Sequence, residues 1–295
     1  MDLCRSRSRL WVLHRTCEVD RNSWVARQMF SSVRASTLVI SETAGGYIMI
    51  ERTVDIETKD GVCSTFIVHP DRGSPHPPIL FLMDAPGIRE ELRDMARRLA
   101  SAGYYVALPN MYYRSGVMDL GAIDSAPSST WITRMFALMN SINIPLVMDD
   151  IEAWLAYIDA DNAAQPSKIG VLGYCMSGQY AINAAARYPD RVAAAASLYG
   201  VALVTDAEDS PHLAARKAKG ELYFACAEHD TYAPMTMVKT LESDLRANNI
   251  NAEVEIYPDA HHGFAFPGRP AFQKQSAERH WARLHALFAR NLLGR

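Results

Sequence analysis

The chain has 295 residues, 49% of them hydrophobic and 21% charged, with a formal net charge of -3. This is ordinary globular composition, long enough to bury a core without a disulfide or a structural metal, and its balanced charge excludes the basic stripe of a nucleic-acid partner. Cys4, Cys17, Cys63, Cys175 and Cys226 form no C-x-x-C pair and no apolar run reaches the ~18–20 residues of a membrane span, so a metal or redox motif and a membrane protein are both disfavoured and a reduced, cytoplasmic setting is expected.

The first residues are rich in arginine and serine (Arg5, Arg7, Arg9, Arg15, Arg21, Arg27, Arg34). An organelle transit peptide has that character, but Asp2, Glu18 and Asp20 and the lack of an apolar core weigh against one. The expectation is a poorly ordered extension over residues 1–46, loosely attached and dispensable, with Met49 as an alternative translation start. From residue 47 the pattern becomes regular. Tyr47–Ile56 and Cys63–His69 alternate as strands about an Asp60-Gly61 turn signal, which predicts a hairpin. Ile79–Met83 is a wholly apolar run, as in a strand buried on both faces. Ile88, Leu92, Met95, Leu99 and Ala102 make a helical stripe ended by Gly103, and Tyr104–Leu108 reads as a strand.

Ser115–Pro145 breaks this rhythm, and Trp131, Met135, Phe136, Leu138 and Met139 point to an inserted helix. Its bland reading is an ordinary helical insertion, preferred to a substrate cover. A helix within Leu146–Ala160 precedes a strand at Lys168–Leu172, a helix within Ser177–Tyr188 and a strand at Val192–Leu198. Glu221–Ala227, Met235–Asn248, Ala252–Tyr257 and Gln273–Leu293 then read strand, helix, strand, helix. Short apolar strands alternating with amphipathic helices predict a single α/β domain over residues 47–295. Its mostly parallel sheet is covered on both faces, and reactive groups lie beyond the carboxyl ends of the strands.

Three segments carry chemistry. Gly173-Tyr174-Cys175-Met176-Ser177-Gly178 places a cysteine at a tight turn between a buried strand and a helix, where a nucleophile projects above a sheet. The N–H of Met176 opens the helix and can face a developing oxyanion. The usual pattern has a serine at the centre and a glycine at position 177, and a buried structural cysteine is the competing reading. Asp230 then follows one strand and His261-His262 the next. Nucleophile, acid and histidine, in that order and each beyond its own strand, favour catalysis over coincidence.

On these segments the chain resembles the dienelactone hydrolase family, over roughly residues 47–295. Besides Gly-Tyr-Cys-Met-Ser-Gly at 173–178, the resemblance rests on Glu-His-Asp at 228–230 followed by Pro234 and on His-His-Gly-Phe at 261–264. Leu198-Tyr199-Gly200 and Asn110-Met-Tyr-Tyr-Arg114 also match. It implies an α/β-hydrolase fold with an N-terminal antiparallel hairpin. It puts the nucleophile at Cys175, the acid at Asp230 and the histidine at His262, with His261 the competitor, and the second oxyanion donor at the Ala85 N–H. Where well-known members have a glutamate that contacts the resting thiol, this chain has Asp84, one methylene shorter. Of the arginine pair that holds a substrate carboxylate, Arg114 matches one member; Phe266 stands at the other, with Arg269 nearby but out of register. Tyr112, Tyr113, Cys63 and Cys226 read as packing residues, and His212, His280 and His285 show no partner spacing.

The expected function is therefore hydrolysis of a small ester or lactone by Cys175, His262 and Asp230 through a thioester, with no cofactor and no metal. A general carboxylesterase or thioesterase acting on uncharged acyl groups is the alternative that Phe266 favours. A non-catalytic binding protein of the same fold is the third reading, and it has no need of three catalytic groups in register.

Overall fold

In the computed structural model, residues 48–294 are described apart from 123, 125 and 127, together with the backbone of residues 37–42. Nine strands form one sheet: β1 (Thr37–Glu42), β2 (Ile48–Thr58), β3 (Gly61–Pro70), β4 (Pro78–Leu82), β5 (Tyr105–Pro109), β6 (Ile169–Tyr174), β7 (Val192–Leu198), β8 (Glu221–His229) and β9 (Ala252–His261). Their spatial order is β1-β2-β3-β5-β4-β6-β7-β8-β9. The first three strands and the β3–β5 pair run antiparallel, and the pairs from β5 to β9 are parallel. This is the mostly parallel α/β sheet expected from the alternation of apolar strands and amphipathic helices, with the N-terminal antiparallel hairpin of the α/β-hydrolase fold that the resemblance implied.

The hairpin closes through Lys59 and Asp60, since Thr58 pairs with Gly61, which starts β3. The turn thus lies one residue earlier than the Asp-Gly signal suggested. β1 pairs with β2 from Thr37↔Thr53 to Glu42↔Ile48, so six residues of the expected extension run beside the sheet. Residues 1–36 and 43–47, the rest of that extension, lie outside the described residues.

Helices α1 (Glu90–Ser101), α2 (Trp131–Met139), α3 (Ile144–Ala160), α4 (Gly178–Arg187), α5 (Pro211–Ala214), α6 (Met235–Ala247) and α7 (Lys274–Phe288) connect or follow the strands. α1 buries Leu92, Met95, Ala96 and Leu99, and burying each large side chain of such a stripe contributes about 2 kcal/mol. α3 opens on Asn143, whose side chain accepts the Leu146 N–H, and Pro145 occupies the first turn where its missing N–H costs nothing. α2 lies in the segment that interrupts the alternation. It buries Trp131 but leaves Ile132 and Phe136 exposed. The core is continuous through β3–β8; every residue of β4, β5 and β6 is buried.

Candidate active site

β6 runs directly into the turn that carries Cys175. The cysteine adopts φ +54°, the left-handed conformation that a side chain other than glycine seldom takes, as a nucleophile held above a sheet requires. The close approach of strand and helix explains the flanking residues. A Cβ on Gly173 would stand 2.2 Å from the Ser177 carbonyl oxygen, and one on Gly178 would stand 2.4 Å from Ser197 Oγ and 2.6 Å from the Gly200 Cα. Ser177, at the position where a glycine is usual, uses its hydroxyl instead. Its Oγ donates to the Leu82 carbonyl at 2.9 Å and accepts the Tyr174 N–H at 3.0 Å, tying the turn to β4.

His262 follows β9, and its Nε2 lies 3.1 Å from Cys175 Sγ. Its Nδ1 lies 2.7 Å from Asp230 Oδ2, and Asp230 Oδ1 accepts the N–H groups of Tyr232 and Ala233 at 2.9 and 3.0 Å. Asp230 is thereby fixed by its own loop beyond β8. Gly263, at φ +87°, turns the chain so that His262 faces inward while His261 is exposed. Burial alone would lower the His262 pKa, but the opposite charge at Cys175 and the hydrogen bonds to Asp230 and Cys175 outweigh it and hold the imidazole up at about 9. Rings close on both sides: Tyr199 at 5.1 Å and Tyr232 at 4.9 Å between centroids. Cys63 and Cys226 are buried, and burial pushes both thiols up to about 12.

Of the remaining expected site residues, Asp84, Phe266 and Arg114 are engaged with other side chains, while Ala85 and Met176 lie beside the turn. Asp84 is fully buried, and its carboxylate accepts hydrogen bonds from Arg89 (2.6 and 3.2 Å) and Arg269 (2.6 Å). The candidate thiol activator is therefore committed to two guanidinium groups, because its shorter side chain stays beside them. Phe266 is fully buried, with Arg89 and Arg269 stacked on its ring at 4.9 and 5.0 Å, so it forms a platform for those arginines. Arg114 gives both arms to the buried Asp150 at 2.8 Å and a further pair of bonds to Asp60, so its guanidinium is already occupied. Ala85 and Met176 are both buried beside the turn, and the Tyr112 hydroxyl links them, donating to the Ala85 carbonyl at 2.9 Å and lying 3.1 Å from Met176 Sδ.

Arg89 was not singled out in the sequence, and Arg269 was set aside as out of register. The signal for both was the buried aspartate, which demands cationic partners. The segment after Tyr113 supports the same region, since Ile88 N–H donates to the Met118 carbonyl and Leu120 N–H to that of Pro86.

Residues 63–292 match the dienelactone hydrolase family. The chain belongs to that family. A curated protein of Methylorubrum extorquens named "Putative carboxymethylenebutenolidase" is 28% identical over 261 residues, 87% of this chain and 85% of its own length. One of the same name from Escherichia coli is 28% identical over 213 residues, 71% of this chain and 75% of its own. In fold, the chain is similar to the crystal structure of a "Putative Dienelactone Hydrolase" from Klebsiella pneumoniae, with TM-score 0.73 and 24% identity, covering 82% of this chain and 98% of the other. This dienelactone hydrolase family member is thus an ester or lactone hydrolase. Among the described residues no helix is long and apolar enough to cross a membrane.

Proposed function

We propose that the chain hydrolyses a small ester or lactone by acyl transfer to Cys175. The observation that carries this is the relay from Cys175 Sγ to His262 Nε2 at 3.1 Å and from His262 Nδ1 to Asp230 at 2.7 Å. The thiolate attacks the substrate carbonyl, and the backbone N–H groups of Met176 and Ala85 receive the negative charge that develops on its oxygen. His262 protonates the departing alkoxide, leaving a thioester. The neutral imidazole then takes a proton from water, which attacks the thioester and releases the acid and the thiolate. Asp230 keeps the imidazole oriented and stabilises its cationic form. A non-catalytic binding protein has no use for this relay.

Within this chemistry, a second reading is an esterase or thioesterase for uncharged acyl groups. The occupied guanidinium of Arg114 favours it, and so does Phe266, which has no group to pair with a carboxylate. The test is kcat/KM for an anionic lactone and a neutral ester in wild type, Arg114→Ala and Cys175→Ala. Loss of both activities in Cys175→Ala is expected, and a proportionate response of both substrates to Arg114→Ala. A loss confined to the anionic lactone would return Arg114 to the substrate.

A further inference from the structure

The two catalytic loops have an outer side that the hydrolytic chemistry does not use. β8 and β9 continue past their regular pairing to His229↔His261, the residues immediately before Asp230 and His262. Both histidines are exposed, and their rings pair at 5.3 Å between centroids. Two carboxylates flank them. Glu228 and Asp259 are exposed, and donor atoms of Glu228, His229 and Asp259 all lie within 4.8 Å of one another. Asp259 is held at φ +55°, and its N–H donates to Glu228 Oε2 at 2.9 Å, which leaves the second oxygen of Glu228 free to turn outward. Among the described residues, neither carboxylate is ion-paired with a lysine or arginine. Two uncompensated negative charges beside two imidazoles make a local potential and a donor set suited to a cation.

We propose that Glu228, His229 and Asp259 form a binding site for a divalent transition-metal ion of the zinc type. Imidazole nitrogen with carboxylate oxygen is a ligand set that Zn2+ takes at about 2.0–2.2 Å, which puts donors closer together than 4.8 Å. The gap is closed by rotation of exposed side chains, while the paired strand ends hold the backbone. An acidic cluster alone would not select such an ion; the imidazole of His229 among its donors does. The site is separate from the thiol, although each histidine is joined by one peptide bond to a member of the catalytic relay.

The experiment uses the full chain carrying Cys175→Ala, so that the catalytic thiol cannot itself take the metal. Zn2+ uptake is measured by competition with a chromophoric chelator, alone and with His229→Ala, Glu228→Gln or Asp259→Asn added. Asparagine tolerates the left-handed backbone at 259, and thermal unfolding without metal checks that each variant is folded. Uptake is expected to fall by one equivalent, or its affinity by about tenfold or more, in each variant. Unchanged uptake in all three, or no uptake by Cys175→Ala, would overturn the site.

Discussion

The imidazole of His262 lies between a thiol and a carboxylate, and its raised pKa makes the pair's contribution depend on pH. A group raised from its ordinary 6.5 to about 9 contributes stability in full below 6.5, and loses it as pH rises through 9. That contribution belongs to the coupled Cys175–His262 pair. The difference in Tm between wild type and Cys175→Ala should therefore be larger near about pH 6 than near about pH 10. Calorimetry across that range checks it, and a difference that grows with pH would contradict it. Arg114 makes a second prediction at the same scale. Removing it leaves the buried Asp150 carboxylate with only the Tyr113 hydroxyl as a donor, which should cost about 3 kcal/mol in denaturant unfolding, as for other broken buried pairs. A loss near zero would mean that Asp150 finds solvent or another donor.

The turn between β6 and α4 was the most legible element in the sequence, because buried strand, small residues and helix each have their own signature. The same local logic ordered Asp230 and His262 beyond β8 and β9. It could not choose between His261 and His262 from spacing. Nor could it place Arg269 on Asp84, because that contact joins residues 185 positions apart that the fold alone brings together; Arg89, five positions from Asp84, is a local partner that went unremarked because nothing in the sequence marked Asp84 as fully buried. Phe266 was misread for the related reason that a sequence position does not reveal depth. The element makes its own prediction. Gly178→Ala should lower both Tm and the hydrolytic rate, because its new Cβ would press on Ser197 and Gly200 and push α4 away from β7. Circular dichroism melting with an ester assay measures both, and a variant indistinguishable from wild type would show that the contact is not tight.

Across the whole molecule, the antiparallel edge and the catalytic edge are far apart in the sheet order. β1 and β2 stand at one end; β6, β8 and β9, which deliver the relay, stand in the other half. We expect the chain begun at Met49 to lose some thermal stability, since β2 gives up its β1 partner, while retaining its ester turnover. Loss of turnover at a temperature where the shortened chain is still folded would tie the edge to the site. The alternation of strands and helices made the parallel half of the sheet legible, as each element there is local and amphipathic. The β1–β2 pairing was missed because β1 lies in a stretch whose arginine and serine content masks a six-residue strand.

The claim on which the rest depends is that Cys175 carries the acyl group. Mass spectrometry of rapidly quenched protein, digested during turnover of an activated ester, tests it most directly. The acyl mass should appear on the peptide containing Cys175 and on neither the Cys63 nor the Cys226 peptide, whose thiols burial keeps protonated. It should decay as product accumulates, and be absent from Cys175→Ala. Continued rapid turnover by Cys175→Ala, or an acyl group found on another residue at catalytic rates, would contradict the account.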